Sequence, residues 1–224
     1  MVKLVFLCRR RPDISHERYV ELLLHGHVPL ALRHHPTLRR YVVNIVDGTR
    51  GPVPPLDSIG ELWFDSLADY RERLYDSPEG ERIIARDVAG FMGGADAYVV
   101  AEQVQRAPGD PPAIGRGSAG KLFACLLRAR ETTREAFVAH WLARHAPLAL
   151  RHHATTRYVI NPVEQRLGTG PEYDGFAELQ FASASDLRDR LYLSAEGQKE
   201  VEADIPRFIG TTHAYEVTEY AERW

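Results

Sequence analysis

His27-Val28-Pro29-Leu30-Ala31-Leu32-Arg33-His34-His35 returns 118 positions later as His145-Ala146-Pro147-Leu148-Ala149-Leu150-Arg151-His152-His153. From the proline to the last histidine the two copies are identical. A helix that merely packs need only repeat its apolar pattern. Here a proline, an arginine and three histidines recur with it. The match extends outward in both directions. Lys3-Leu4-Val5-Phe6 pairs with Lys121-Leu122-Phe123-Ala124 at the same offset. Beyond the histidines the offset becomes 117, and Tyr41-Val42-Val43-Asn44 pairs with Tyr158-Val159-Ile160-Asn161. Glu61-Leu62-Trp63-Phe64 then pairs with Glu178-Leu179-Gln180-Phe181, and Asp87, Phe91, Tyr98 and Glu102 recur as Asp204, Phe208, Tyr215 and Glu219. The chain is one module written twice.

Within a module, residues 3–8 are apolar and β-prone and predict a strand. Ser15 can cap a helix of period 3.6. Strands follow at 40–46 and 59–64, separated by a Gly/Pro loop, then a helix over about 66–75. Ser77-Pro78-Glu79 supplies a cap, a proline at the first helical position and an early acid, so another helix starts there. Residues 97–103 make the last strand. The order βαββαβ is the ferredoxin-like motif. Such a module has helices on one sheet face and leaves the other bare, so two copies can hide their bare faces against each other. The expected fold is α+β: two ferredoxin-like modules, 1–106 and 119–224, forming an α+β barrel within one chain. The Pro- and Gly-rich stretch 107–118 is expected to be the linker.

The chain has 224 residues, 44% hydrophobic and 26% charged, with net charge -3. That balance argues against nucleic acid as the main partner. The two cysteines, Cys8 and Cys125, suggest neither a disulfide framework nor a zinc site. The first residues are too short and too quickly followed by Arg9-Arg10-Arg11 for a signal peptide. No apolar run reaches the ~20 residues of a membrane span. A cytoplasmic protein with no membrane partner is the default expectation. A pseudo-dimer within the chain is expected, and a further homodimer stays open.

At 100° per residue, His27 sits at the centre of an apolar stripe with Val20, Leu23, Leu24, Leu30, Ala31 and His34, and His145 sits on the matching stripe with His152. Pro29 cannot donate to the carbonyl four residues back, so the helix must kink or restart there. A histidine on this face is poorly solvated when charged, so its pKa should fall. A neutral imidazole at a pocket rim is a usable general base. The competing reading is a core histidine whose nitrogens are both paired with backbone. His27 and His34 are seven apart, whereas zinc motifs place histidines three or four apart, so no metal site is expected. Haem needs only one axial ligand and stays an alternative, without a haem motif in support. Arg33 and Arg151 could clamp a carboxylate or enolate, or simply form surface ion pairs. Tyr41 and Asn44, like Tyr158 and Asn161, lie three apart on a strand and so on opposite faces. Trp63 becomes Gln180 and Leu23 becomes Trp141, which suggests unequal cavities with only one catalytic.

The pattern resembles the EthD family of dimeric α+β barrel proteins. The resemblance rests on His27 with Pro29, Tyr41 to Asn44, Glu61 to Leu67, Ser77-Pro78-Glu79 and Asp87 to Phe91, most of which recur in the second copy. It implies cofactor-free chemistry on small, often aromatic or polyketide-like molecules, of cyclase, isomerase, dehydratase or monooxygenase type. It also implies that the histidine before the proline is the acid/base, here His27 and His145. The expectation is an enzyme in which these residues act, with His34 and His152 beside them. Arg33, Arg151, Tyr41, Tyr158, Asn44, Asn161, Trp63 and Trp141 would contact substrate. The alternative is a barrel that binds a small molecule or haem without turning it over.

Overall fold

Ser15 starts the first helix by accepting a hydrogen bond from the Arg18 N–H at 3.2 Å, and Thr133 does the same for Ala136 in the second copy. Ser77 and Ser194 cap the long helices in matching fashion, each accepting from a glycine N–H at 3.0 Å. The structure is a computed structural model describing residues 1–224. Module 1 runs β1 (Val2–Arg10), α1 (His16–Glu21), a π-helical turn (Leu22–His27), α2 (Val28–His34), β2 (Arg40–Arg50) and β3 (Ser58–Phe64). It continues with α3 (Leu67–Glu72), α4 (Pro78–Phe91) and β4 (Met92–Val100). A short strand, β5 (Gln103–Arg106), leads into the connection. Module 2 repeats the series as β6 (Gly117–Arg128), α5 (Arg134–His140), a π-helical turn (Trp141–His145), α6 (Ala146–His152), β7 (Arg157–Leu167) and β8 (Gly175–Gln180). It ends with α7 (Ala184–Asp189), α8 (Ala195–Asp204) and β9 (Ile209–Arg223). The last strand of module 1 begins earlier than the predicted residue 97, and β6 begins inside the stretch read as linker.

The strands lie in the order β4-β1-β3-β2-β9-β6-β8-β7, and β7 pairs back with β4, closing an antiparallel barrel of eight strands. β5 continues the line of β4 along β7, pairing Val104 with Val159. Each module contributes the ferredoxin-like order, and the two join where β2 meets β9 and where β4 meets β7. Helices cover the outside. Alternation along each strand then sorts side chains into two environments. Leu4, Tyr41, Val43 and Phe64 face the helices of module 1 and pack with Tyr19, Leu23 and Phe91. Val5, Leu7, Tyr98, Phe123, Phe176 and Tyr215 face inward and fill the barrel.

One end of the barrel is filled by charge. Lys3 Nζ lies 2.6 Å from Glu61 and 2.6 Å from Glu178. Lys121 Nζ lies 2.8 Å from Glu61, 2.7 Å from Glu178 and 2.7 Å from Glu219. Arg157 grips Glu219 with both terminal nitrogens. Asn44 and Asn161 each donate to the nearest of these carboxylates, Glu61 and Glu178. Burial works against each charge, but the opposed neighbours win. The lysine pKa values stay above their usual range, and Glu219 is held down to about 2. Charges buried in this way stay ionised only as a paired set.

Candidate active site

Pro29 has no N–H for the carbonyl of residue 25, and its ring crowds that carbonyl. The chain absorbs this with an i→i−5 turn: Val28 N–H donates to Leu23 O, and Ala146 N–H donates to Trp141 O in module 2. π-turns of this kind are insertions that re-aim a side chain. Here the last residue of each turn is the repeated histidine. His27 Nδ1 lies 2.8 Å from Asp87 Oδ2 on α4. Its ring packs on Phe91, with centroids 5.6 Å apart. Asp87 is an acceptor, so in the neutral ring Nδ1 is the nitrogen that carries the proton and Nε2 is the one with the lone pair. His27 Nε2 has no protein partner, and the ring lines a cavity of ≈ 220 Å³ between the outer face of the sheet and the helices of module 1.

That cavity is apolar. Phe6, Leu23, Leu62, Tyr70, Ile84 and Met92 form most of its wall, with His27, His35, Tyr41, Ser58 and Cys8 as its polar groups. His35 stands at the C-terminal end of α2, where the backbone leaves the helical region and turns the ring inward. Its Nδ1 lies 3.1 Å from the Leu74 carbonyl, and burial pulls its pKa down to about 4. It is therefore neutral, and its Nε2 is a second acceptor in the cavity. Burial raises the Cys8 thiol to about 12, which removes it as a nucleophile. Burial also pushes Tyr41 upward, so its hydroxyl stays protonated.

Module 2 has the same histidine in a filled site. His145 Nδ1 lies 3.0 Å from Asp204 Oδ2, and His140 takes the other oxygen at 2.9 Å. Burial lowers the His145 pKa and outweighs the carboxylate that would raise it. Trp141, standing where Leu23 stands in module 1, is 1% exposed and lies over Gly175. A Cβ on Gly175 would come within 2.5 Å of the indole. The matching residue in module 1 is Ser58.

Several residues expected at the site lie elsewhere. His34 and His152 turn away from the cavity, against Gly80 of α4 and Gly197 of α8, and meet Asp76 at 3.1 Å and Glu200 at 3.2 Å. The regular helical wheel placed them inward because it carried no π-turn and no helix end at residue 35. Arg33 and Arg151 are exposed and hold no substrate-facing position. Asn44 and Asn161 point into the barrel, on the face opposite the histidines, as the strand alternation demands. Trp63 also points inward, donates to Glu102 and lies under Lys3 Nζ at 4.7 Å from the ring centroid. It lines a separate cavity of ≈ 210 Å³ at the charged barrel end. Tyr41 alone among the expected binding residues lines the His27 cavity, while Tyr158 accepts a hydrogen bond from Trp141. Asp87 and Asp204 stand out in the sequence only as recurring positions, with nothing there to pair them with the histidines. The sequence leaves His35 and His153 without a role.

The convergent carboxylates of the barrel do not form a metal site. Glu61, Glu178 and Glu219 converge as a metal cage would, but Lys121 Nζ occupies the centre they converge on.

A closed sheet of two ferredoxin-like halves with helices outside makes this a dimeric α+β barrel contained in one chain. The chain belongs to the EthD domain family, whose model matches residues 11–95 and again 129–212. No curated protein matches the sequence. An anthrone oxidase-like protein shares the fold with a TM-score of 0.63 at 12% identity, covering 99% of this chain and 92% of that one. A monooxygenase-like protein of Fusobacterium nucleatum gives 0.60 at 7% identity over 99% and 92%. A chlorite dismutase of Candidatus Nitrospira defluvii, in complex with imidazole, gives 0.51 at 12% identity over 97% and 90%.

Proposed function

We propose that module 1 is a cofactor-free acid/base enzyme acting on a small aromatic or polyketide-like molecule. The observation that carries this is the His27–Asp87 pair, which leaves His27 Nε2 as an unengaged base facing an apolar cavity. In the reaction Nε2 removes a proton from a carbon acid or phenol held in the cavity. Asp87 keeps the proton on Nδ1, fixes the ring and stabilises the imidazolium that forms. The protonated Tyr41 hydroxyl can donate to the resulting oxyanion, and the dry wall strengthens that bond. Returning the proton at another atom gives an isomerisation, and returning it to a departing hydroxyl gives a dehydration. Attack of the carbanion on a carbonyl within the same molecule forms the ring bond as the C=O π pair moves to oxygen, which takes the proton back from His27, and gives a cyclisation.

A second reading is oxygenation without a cofactor, in which the deprotonated aromatic passes electrons to dioxygen. It is favoured by the names of the anthrone oxidase-like and monooxygenase-like relatives. Both readings start with the same proton abstraction. The two-ring carbon acid 2-tetralone in deuterated buffer tests that step: the protein should speed deuterium uptake at the acidic CH2, and His27→Gln should abolish the acceleration. Equal exchange with and without His27 would sink both. An oxygen electrode on the same mixture separates them, since only the second reading consumes dioxygen.

A further inference from the structure

The two modules differ most at three matched positions around one space. Leu23, Tyr41 and Ser58 line the open cavity of module 1. Their counterparts are Trp141, Tyr158 and Gly175. The indole of Trp141 crosses the equivalent space, lies on Gly175 and donates from Nε1 to Tyr158 Oη at 3.1 Å. Phe137 and Phe208 pack beside it, at 5.3 Å and 6.5 Å between centroids. Enlarging position 23 to tryptophan and shrinking position 58 to glycine are two changes that only make sense together, because a side chain at 175 would strike the ring. In module 1 neither change is present, the space is empty, and Tyr41 Oη has no protein partner.

We infer that Trp141 is a built-in occupant of a second ligand site, so that the chain binds one ligand, in module 1. That ligand is a flat two-ring aromatic presenting an N–H or O–H donor to Tyr41 Oη. The indole shows which shape fits between the sheet and the π-turn and where its polar edge points. The volume agrees. A cavity of about 150 Å³ accepts benzene, and ≈ 220 Å³ leaves room for a second ring. Leu23 and Ser58 then set the size limit of the site, and Tyr41 selects the donor edge. The inference rests on the module 1 cavity being the substrate site, but its test reads binding and needs no turnover.

The probes are 2-naphthol and naphthalene, alike in shape and differing in the hydroxyl, titrated into the whole protein by calorimetry. One site per chain is expected, with 2-naphthol bound roughly tenfold tighter, the worth of one buried hydrogen bond. Tyr41→Phe should erase that preference while keeping naphthalene binding. Leu23→Trp with Ser58→Gly should abolish binding of both. Trp141→Gly should raise the stoichiometry for indole from one to two, because free indole refills the hole. Equal affinity for the two probes would overturn the donor assignment. Unchanged stoichiometry in folded Trp141→Gly, with binding retained in the Leu23→Trp/Ser58→Gly protein, would overturn the occupant assignment. Loss of deuterium exchange in His27→Gln with probe binding intact would leave this inference standing and speak only to the chemistry.

Discussion

A histidine is a better-placed base when its other nitrogen is held, and in module 1 the holder is Asp87, 2.8 Å from His27 Nδ1. Asp87→Asn replaces an acceptor-only group with an amide that can donate, so the ring can flip its proton to Nε2 and lose the free lone pair. Turnover should fall by about 10² or more, with the probe affinity of the cavity nearly unchanged. A variant that kept full activity would remove Asp87 from the mechanism. His35 gives the pH signature. Its folded pKa is about 4, against the usual 6.5, because burial disfavours the charged ring. Between those values the unfolded chain binds a proton that the folded chain does not. Stability present above pH 6.5 is therefore lost progressively as pH falls towards 4. The buried rings of His145 and His153 act in the same direction. Thermal melts from pH 7 to 4 should show this slope, and His35→Gln should flatten it. A slope unaltered by the substitution would place the effect on other groups.

At the scale of the element, the π-turn does the aiming. Val28 N–H reaches Leu23 O rather than the carbonyl one residue nearer, and His27 is the last residue of the widened turn. Pro29→Ala restores a donor and lets the helix run as ordinary α, which turns His27 relative to α4 and separates it from Asp87. The fold should survive with an equal or higher melting temperature, since alanine is the better helix former. Turnover should drop by about 10²-fold, the usual result of misplacing a catalytic group by an ångström. Undiminished turnover would show that the turn is incidental. The same element marks the limit of what the sequence discloses. The repeated caps, the βαββαβ order and the sheet-facing position of His27 are legible because they follow from local pattern. The inward turn of His35 is not, because it depends on a helix ending at residue 34 and on a wheel broken by proline. The opposite placements of Tyr41 and Asn44 are legible from strand alternation. Which of the two faces the histidines is settled only when the barrel closes. Lys3, Lys121, Glu61 and Glu178 stood in the repeat as charges recurring inside apolar strands, a sign of a buried pairing that composition alone does not raise.

At the scale of the molecule, that pairing ties the modules together. Lys3 of module 1 meets Glu178 of module 2, and Lys121 of module 2 meets Glu61 of module 1. Removing one member leaves the others buried and unpaired. Lys121→Met should cost about 3–5 kcal/mol in urea unfolding for that reason. A loss under about 1 kcal/mol would mean that water reaches the network. The exchange of partners also fixes what a single module can do. Residues 1–106 alone would present Val5, Leu7, Lys3 and Glu61 on a bare sheet face, with no opposing sheet to cover them. A monomer in that state exposes both an apolar face and unpaired charges. A second copy cures both, because its Lys3 can take the place that Lys121 Nζ now holds, 2.8 Å from Glu61. Module 1 alone should therefore sediment as a folded dimer with the His27 cavity intact in each copy. Its Lys3→Met variant should lose the dimer and the fold together, since the bare face folds only when covered. A folded monomer of residues 1–106 would break the argument, because it would show that the inner face of the sheet tolerates water and that duplication serves some end other than burial.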